Sequence, residues 1–549
     1  MRRDARGRTG AADSETVHRE WQMTTRSWAW LLILCAAMTV AQTVAAQPQE
    51  TKASDANAGD KKSGDGKAGD TKEAEPAAKE ESSVTDHTIR IGGETIAYKA
   101  TAGTILLKND KDEPTALIYS TAYTKSDVKG LNRRPVAFIY NGGPGSSSAW
   151  LHMGAWGPKR VITPDAQPSP PAPYTISDNA YSLLDVADLV FVDPVGTGFS
   201  RSTGKAHDKD FWGIDEDVKS LGQFITRYVS RNGRWNSPKY LIGESYGTFR
   251  SAALVNYMQS HEHMDFNGVV LMSSVLDLSQ IRFPQGEDLP YILFLPSYVA
   301  TAAYHHLLVS PPGDSDVFLR EVRHFAETDY AEALMLGDRL QGAARDEIVK
   351  KLAGYTGLSE DYIRKADLRV TAQQFMAELE RSRDMNTGRL DARYSGPMMD
   401  PLTEYVEYDP QSSAVSGAFT ATFNDYVRSE LKFGGEQHYE ILNLKANEAW
   451  NWKREGAGES ASAPNVEGDL LQAMVMNPHL QVEVENGLYD LATPFFQTEY
   501  TMDHLGLPES VRGHVHLDYY DAGHMMYLRE ESLAKLKANV AKFIAATSH

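Results

Sequence analysis

The stretch GESYGT, residues 243–248, fits the pattern G-x-S-x-G through Gly243, Ser245 and Gly247. That pattern describes a strand running into a sharp turn and a helix, with the serine hydroxyl raised at the turn. A serine hydroxyl is a poor nucleophile until a neighbouring imidazole takes its proton. The imidazole in turn needs a carboxylate on its far nitrogen, which holds one tautomer and stabilises the imidazolium. Two residues later in the chain suit these roles. Asp490 ends VEVENGLYD and His524 lies in DYYDAGHMMY, each just past a strand-like run. A tetrahedral intermediate also needs backbone N–H donors, worth about 3 kcal/mol each. The amide of Tyr246, next to the serine, and one in the glycine-rich loop NGGPG at 141–145 are the sources at hand.

Each assignment has rivals. Ser245 could be a turn serine. Asp518 and Asp521 are near His524 in sequence and Asp193 ends a strand-like run; their other reading is loop capping, which Asp does often. His305 and His306 fall in a helical stretch and read as packing or surface groups, while His514 and His516 alternate along a strand and read as structural.

The elements needed to position these residues are visible as texture. Residues 87–110 alternate apolar and polar around Gly92-Gly93, as antiparallel hairpins do. Apolar runs at 136–140, 189–192, 240–243 and 268–272 predict strands buried on both faces, sandwiched by helices. The first three end in loops rich in Gly, Ser and Asp, and open α/β sheets bind ligands beyond the carboxyl ends of their strands. The order Ser, acid, His along the chain is that of α/β-hydrolases. The expected fold is therefore α/β: an α/β-hydrolase core over 85–279 and 468–549, interrupted by a mainly helical cap insertion at 280–467 where apolar spacing turns helical.

Composition narrows the setting. A formal net charge of −19 argues against nucleic-acid binding, which needs a basic face. The single cysteine, Cys35, sits in a hydrophobic run, so disulfides and cysteine-based zinc sites are excluded from the folded part. From Met23 onward, Arg26, an apolar core around 28–40 and a small-residue end at 44–46 have the layout of a signal peptide. Residues 1–46 are thus expected to be a leader and signal, with translation starting at Met23, no stable membrane span after cleavage, and a secreted or periplasmic product. Residues 47–84, rich in Lys, Glu, Asp, Ala and Gly, read as a disordered charged tether.

Five motifs in order resemble the serine carboxypeptidases, peptidase family S10: NGGPGSSS at Asn141, VDPVGTGFS at Val192, GESYGT at Gly243, NGLYDLATPF at Asn486 and DAGHMMY at Asp521. The resemblance implies a Ser245–Asp490–His524 triad, oxyanion-hole amides at Gly143 and Tyr246, and a carboxylate-binding set of Asn141, the Gly142 backbone and Glu244. It implies release of C-terminal residues from peptides with a free carboxylate, through an acyl-enzyme and with no metal or cofactor. The alternatives are an esterase or acyltransferase using the same triad, and a binding protein that keeps the scaffold. In this family a protonated acid recognises the carboxylate, hence a preference for acidic conditions. Three departures bear on this. Ala155, in GAWGPKR, stands where better-known members carry a partner Glu, so Glu244's partner is missing or comes from elsewhere. Ile139 stands where they often carry Trp, which implies an altered substrate wall. The disulfides of eukaryotic members cannot form. Together these suggest a divergent bacterial-type branch.

Overall fold

Every residue of four runs, Val136–Tyr140, Asp188–Val192, Lys239–Glu244 and Gly268–Met272, is buried. In the computed structural model, which describes residues 78–308, 315–455 and 463–548, these runs are the interior of a 10-stranded sheet. Its main strands are β1 (Ser82–Ile91), β2 (Glu94–Lys108), β3 (Pro114–Lys125), β4 (Val136–Tyr140), β5 (Asp188–Val192), β6 (Lys239–Glu244), β7 (Gly268–Met272), β8 (Gln481–Gly487) and β9 (Val515–Tyr520), with the short Arg201–Ser202 pairing on β3. The spatial order is β1-β2-β3-β5-β4-β6-β7-β8-β9. The first three strands and the β3–β5 pair are antiparallel, and everything from β5 to β9 is parallel. The parallel strands therefore end along one edge.

Side-chain alternation explains why these strands are apolar throughout. Ala137, Ile139, Tyr240, Ile242, Val270 and Met272 face one core, and their neighbours Phe138, Leu241, Val269 and Leu271 face the other. Helices α1 (Ile214–Arg231), α2 (Tyr246–His261) and α5 (Glu467–Met476) fill one side. Helices α4 (Pro410–Ser429) and α6 (Glu530–Thr547) fill the other. In α1 the residues Ile214, Val218, Leu221, Ile225 and Val229 recur at the helical period and all point inward. This is the expected α/β-hydrolase fold.

The stretch 280–467 divides by packing. Helix α3 (Leu289–Tyr304) and the helices up to Ala372–Glu378 build a separate core around Phe294, Tyr298, Leu352 and Phe375. Helix α4, from the same stretch, instead packs Val415, Phe419 and Phe423 into the main core. Two other expectations meet the coordinates differently. Strand β1 opens at Ser82, inside the stretch read as tether, with Ser82–Val84 paired to Thr101–Gly103. Its first residues, Ser82 and Ser83, are polar, the one exposed and the other half-buried at an edge, so composition did not betray them. Ile139 is fully buried in the core beneath the sheet, not in a substrate wall. The leader, the signal-like run with Cys35 and residues 47–77 of the tether lie outside the described residues. Among the described residues, no helix is long and apolar enough to cross a membrane.

Candidate active site

Ser245 is the single residue between the end of β6 and the start of α2. Its backbone is at φ 60°, ψ −131°, a region that costs a non-glycine residue about 1–3 kcal/mol and clusters at functional sites. The turn is this tight because Gly243 lets the chain fold on itself: a Cβ there would stand 2.2 Å from the Gly247 carbonyl oxygen. The Ser245 amide donates to Met272 O at the end of β7 (3.0 Å), and its carbonyl accepts from the Thr248 amide (2.8 Å) and hydroxyl (2.7 Å). The serine is half-buried at the sheet's carboxyl edge.

Asp490 and His524 meet at that same edge, past the ends of β8 and β9. Asp490 is fully buried, and its carboxylate accepts from four donors. Oδ1 takes the amides of Ala492 (2.7 Å) and Thr493 (2.9 Å), while Oδ2 takes the Thr493 hydroxyl (2.8 Å) and His524 Nδ1 (2.7 Å). His524 is held by its backbone as well. Its amide donates to Leu390 O (2.6 Å) and its carbonyl accepts from the Ser273 hydroxyl (2.8 Å). Met272 and Ser273, consecutive at the end of β7, thus anchor the serine and the histidine respectively. With Nδ1 committed to Asp490, Nε2 is the ring nitrogen left for a hydroxyl. Burial works against a charge on His524, but the charge and hydrogen bond of Asp490, joined by Glu244, outweigh it and lift the imidazole above its ordinary value, against an opposing push from Arg389.

The loop after β4 closes over the serine turn. A Cβ on Gly142 would lie 2.4 Å from the Tyr246 nitrogen, so only glycine allows this approach. Gly143 follows at φ 105°. Tyr246 opens α2, and its amide is one of those a helix start leaves without an intrahelical acceptor. Asn141 is buried; its Nδ2 donates to Glu244 Oε1 (2.7 Å) and its Oδ1 accepts from the Leu151 amide (3.1 Å). Beneath it, the buried Arg250 donates to Asn141 O (2.7 Å) and to Asp217 (2.6 Å). Burial raises Glu244 to about 7, against lowering by His524, Tyr527 and Asn141.

The rival residues stand elsewhere. Asp193 is buried under the β4 loop, where Oδ1 accepts the amide and hydroxyl of Ser148. Asp518 faces Lys535 and Asp521 faces Arg529. His305 bonds Ala392 O (2.7 Å) in the insertion; His306 and His516 are exposed, and His514 is half-buried on the approach to β9. At the position where a partner acid for Glu244 is expected, Ala155 is fully buried; Asn141 is hydrogen-bonded to Glu244, and Tyr527 lies close enough to act on its proton affinity. Sequence reasoning missed Thr493, Ser273 and Tyr527. Thr493 was within reach, since an Asp followed three residues later by Thr is a local capping pattern; the other two are brought in by folding alone.

Residues 95–284 match the family described as Peptidase S10, serine carboxypeptidase. A 129-residue segment is 33% identical to serine carboxypeptidase-like 36 of Arabidopsis thaliana, covering 23% of this chain and 24% of that relative's length. The fold is similar to that of KEX1(DELTA)P, a prohormone-processing carboxypeptidase of Saccharomyces cerevisiae: TM-score 0.52 and 17% identity over 82% of this chain and 91% of that one. The stretch from β2 to just beyond β7 is thus similar to the serine carboxypeptidases in sequence, and most of the chain shares its fold with a carboxypeptidase.

Proposed function

We propose that the protein is a serine carboxypeptidase that releases C-terminal residues from peptides. The observation that carries this is the strained Ser245 at the β6–α2 turn, anchored to the same strand end as a His524 whose Nδ1 is fixed on Asp490. Ser245 Oγ attacks the scissile carbonyl carbon as His524 Nε2 takes its proton; the carbonyl electrons move to oxygen, which the Gly143 and Tyr246 amides receive. The tetrahedral intermediate collapses, His524 gives the proton to the leaving amine, and the acyl-enzyme is hydrolysed by water through the same steps. The terminal carboxylate is received by Asn141, the Gly142 backbone and Glu244, which donates a hydrogen bond only while protonated. Since Glu244 is raised to about 7, this recognition extends from acidic conditions to near neutrality.

Ser245→Ala is expected to abolish peptide turnover with an unchanged melting curve and loss of labelling by a fluorophosphonate. Retained turnover removes Ser245 from the mechanism. Comparing a blocked dipeptide with its C-terminal amide and a simple ester separates the peptidase from an esterase: the peptidase prefers the free carboxylate.

A further inference from the structure

Two buried polar atoms beside the triad have no hydrogen-bond partner: Glu244 Oε2 and the Tyr527 hydroxyl. They lie close enough for each to act on the other's proton affinity, and Asn141 bears on both. Tyr527 sits in the short helix Met526–Leu528, just beyond His524, and is 1% exposed. Its ring packs on Gly154, where a Cβ would stand 2.4 Å from the ring edge. Gly154 is the chain neighbour of Ala155, the position that offers Glu244 no acid. The opposite oxygen of the carboxyl, Oε1, is already taken by Asn141 Nδ2 at 2.7 Å.

We propose that Tyr527 is the positioning partner of Glu244: its hydroxyl donates to Oε2, leaving the hydrogen of the protonated acid aimed at the carboxylate of a peptide's C-terminus. This rests on the carboxypeptidase reading. With Asn141 donating to Oε1 and Tyr527 donating to Oε2, each carboxyl oxygen has one acceptor site filled, and the acid's own hydrogen has one direction left. A second carboxylic acid in this place would share a proton with Glu244 and split the titration of both. A buried phenol does neither, because burial, then the Glu244 charge, holds Tyr527 neutral. The groups facing Glu244 are His524, Tyr527, Asn141 and Asp490. His524 also titrates near this range, but both substrates need it in the same form, so the acid-over-amide ratio follows the one proton of Glu244.

The test is the ratio of kcat/KM for a blocked dipeptide over its C-terminal amide, followed against pH in the wild type and in Tyr527→Phe. The wild-type ratio is expected to fall with a one-proton slope. A hydrogen bond to the ionised form lowers an acid's pKa, so removing the hydroxyl moves the midpoint upward, by roughly one pH unit. A two-proton slope in the wild type, an unmoved midpoint, or equal losses on both substrates without a shift overturns the proposal. The infrared carbonyl band of protonated Glu244, assigned with Glu244→Gln, reports the same midpoint without turnover. If the wild type does not discriminate acid from amide, the carboxypeptidase reading fails, and the infrared midpoint still decides whether Tyr527 and Glu244 are paired.

Discussion

Asp490 has no solvent contact and accepts from Ala492, Thr493 and His524, so its acceptor sites are filled by groups that fix where it points. An imidazole held this way keeps Nε2 free in one tautomer, and in the proposed mechanism the negative charge would stabilise the imidazolium formed as Ser245 attacks. Asp490→Asn keeps size and two amide bonds but offers Nδ1 a donor instead of an acceptor. Single-turnover kinetics is expected to show a fall in kcat of about 10⁴-fold, with little change in melting temperature because the Ala492 and Thr493 amides keep their acceptor. Glu244, one residue from Ser245, is the other side chain whose behaviour is set by burial. Its raised value and that of His524 are linked, since each stabilises the opposite charge on the other.

Among elements, the loop between β4 and the helix that starts near Ala149 depends most on its neighbours. Arg250 on α2 ties it down from below through Asn141 O, Asp193 holds it through Ser148, and Gly142 lets it rest on the start of α2. In the proposed mechanism these contacts would hold backbone N–H groups where charge develops during acyl transfer. Gly142→Ala puts a methyl 2.4 Å from the Tyr246 nitrogen, so the loop must lift from the helix. The expected result is a fall in kcat on the order of 10²-fold, while Ser245 still labels slowly with a fluorophosphonate and circular dichroism is retained. Part of this element was legible in the sequence: NGGPG announces a glycine-rich turn whose backbone N–H groups can face outward. That the turn would rest on α2, and that Asp193 would serve this loop rather than His524, depends on how β4, β5 and β6 lie side by side.

For the whole molecule, several buried acids hold protons more tightly in the folded chain than in water. Burial raises Glu244 and Glu483 to about 7 and Asp193 to about 6, and lifts Glu485 well above its ordinary value. A raised acid binds its proton better folded than unfolded, so its stabilisation is complete below the unfolded value near 4.5 and is lost as pH rises through the folded one. His152 acts the other way: burial lowers it to about 3, so its contribution is present above 6.5 and is lost as pH falls. The acids outnumber it. The melting temperature is expected to be higher at pH 5.5 than at pH 8 in calorimetry, and Glu485→Gln, which mimics the protonated acid on β8, is expected to shrink that difference.

The amino-acid order alone determined which local structures could form and which residue types stood at their ends. Apolar runs followed by glycine-rich loops define buried strands and sharp turns, because side-chain period and backbone freedom are properties of short stretches. That reach extended to the α/β class, to the serine turn and to the motifs that resemble the serine carboxypeptidases. Tertiary structure decided what no short stretch encodes: that consecutive residues at the end of β7 anchor Ser245 and His524, that α4 leaves the insertion to join the main core, that Ile139 is buried in the core, and that Tyr527 comes to lie beside Glu244. Those relations join residues far apart along the chain. They arise from packing strands and helices into one volume, where each side chain's neighbours are set by the whole arrangement and not by its place in the sequence.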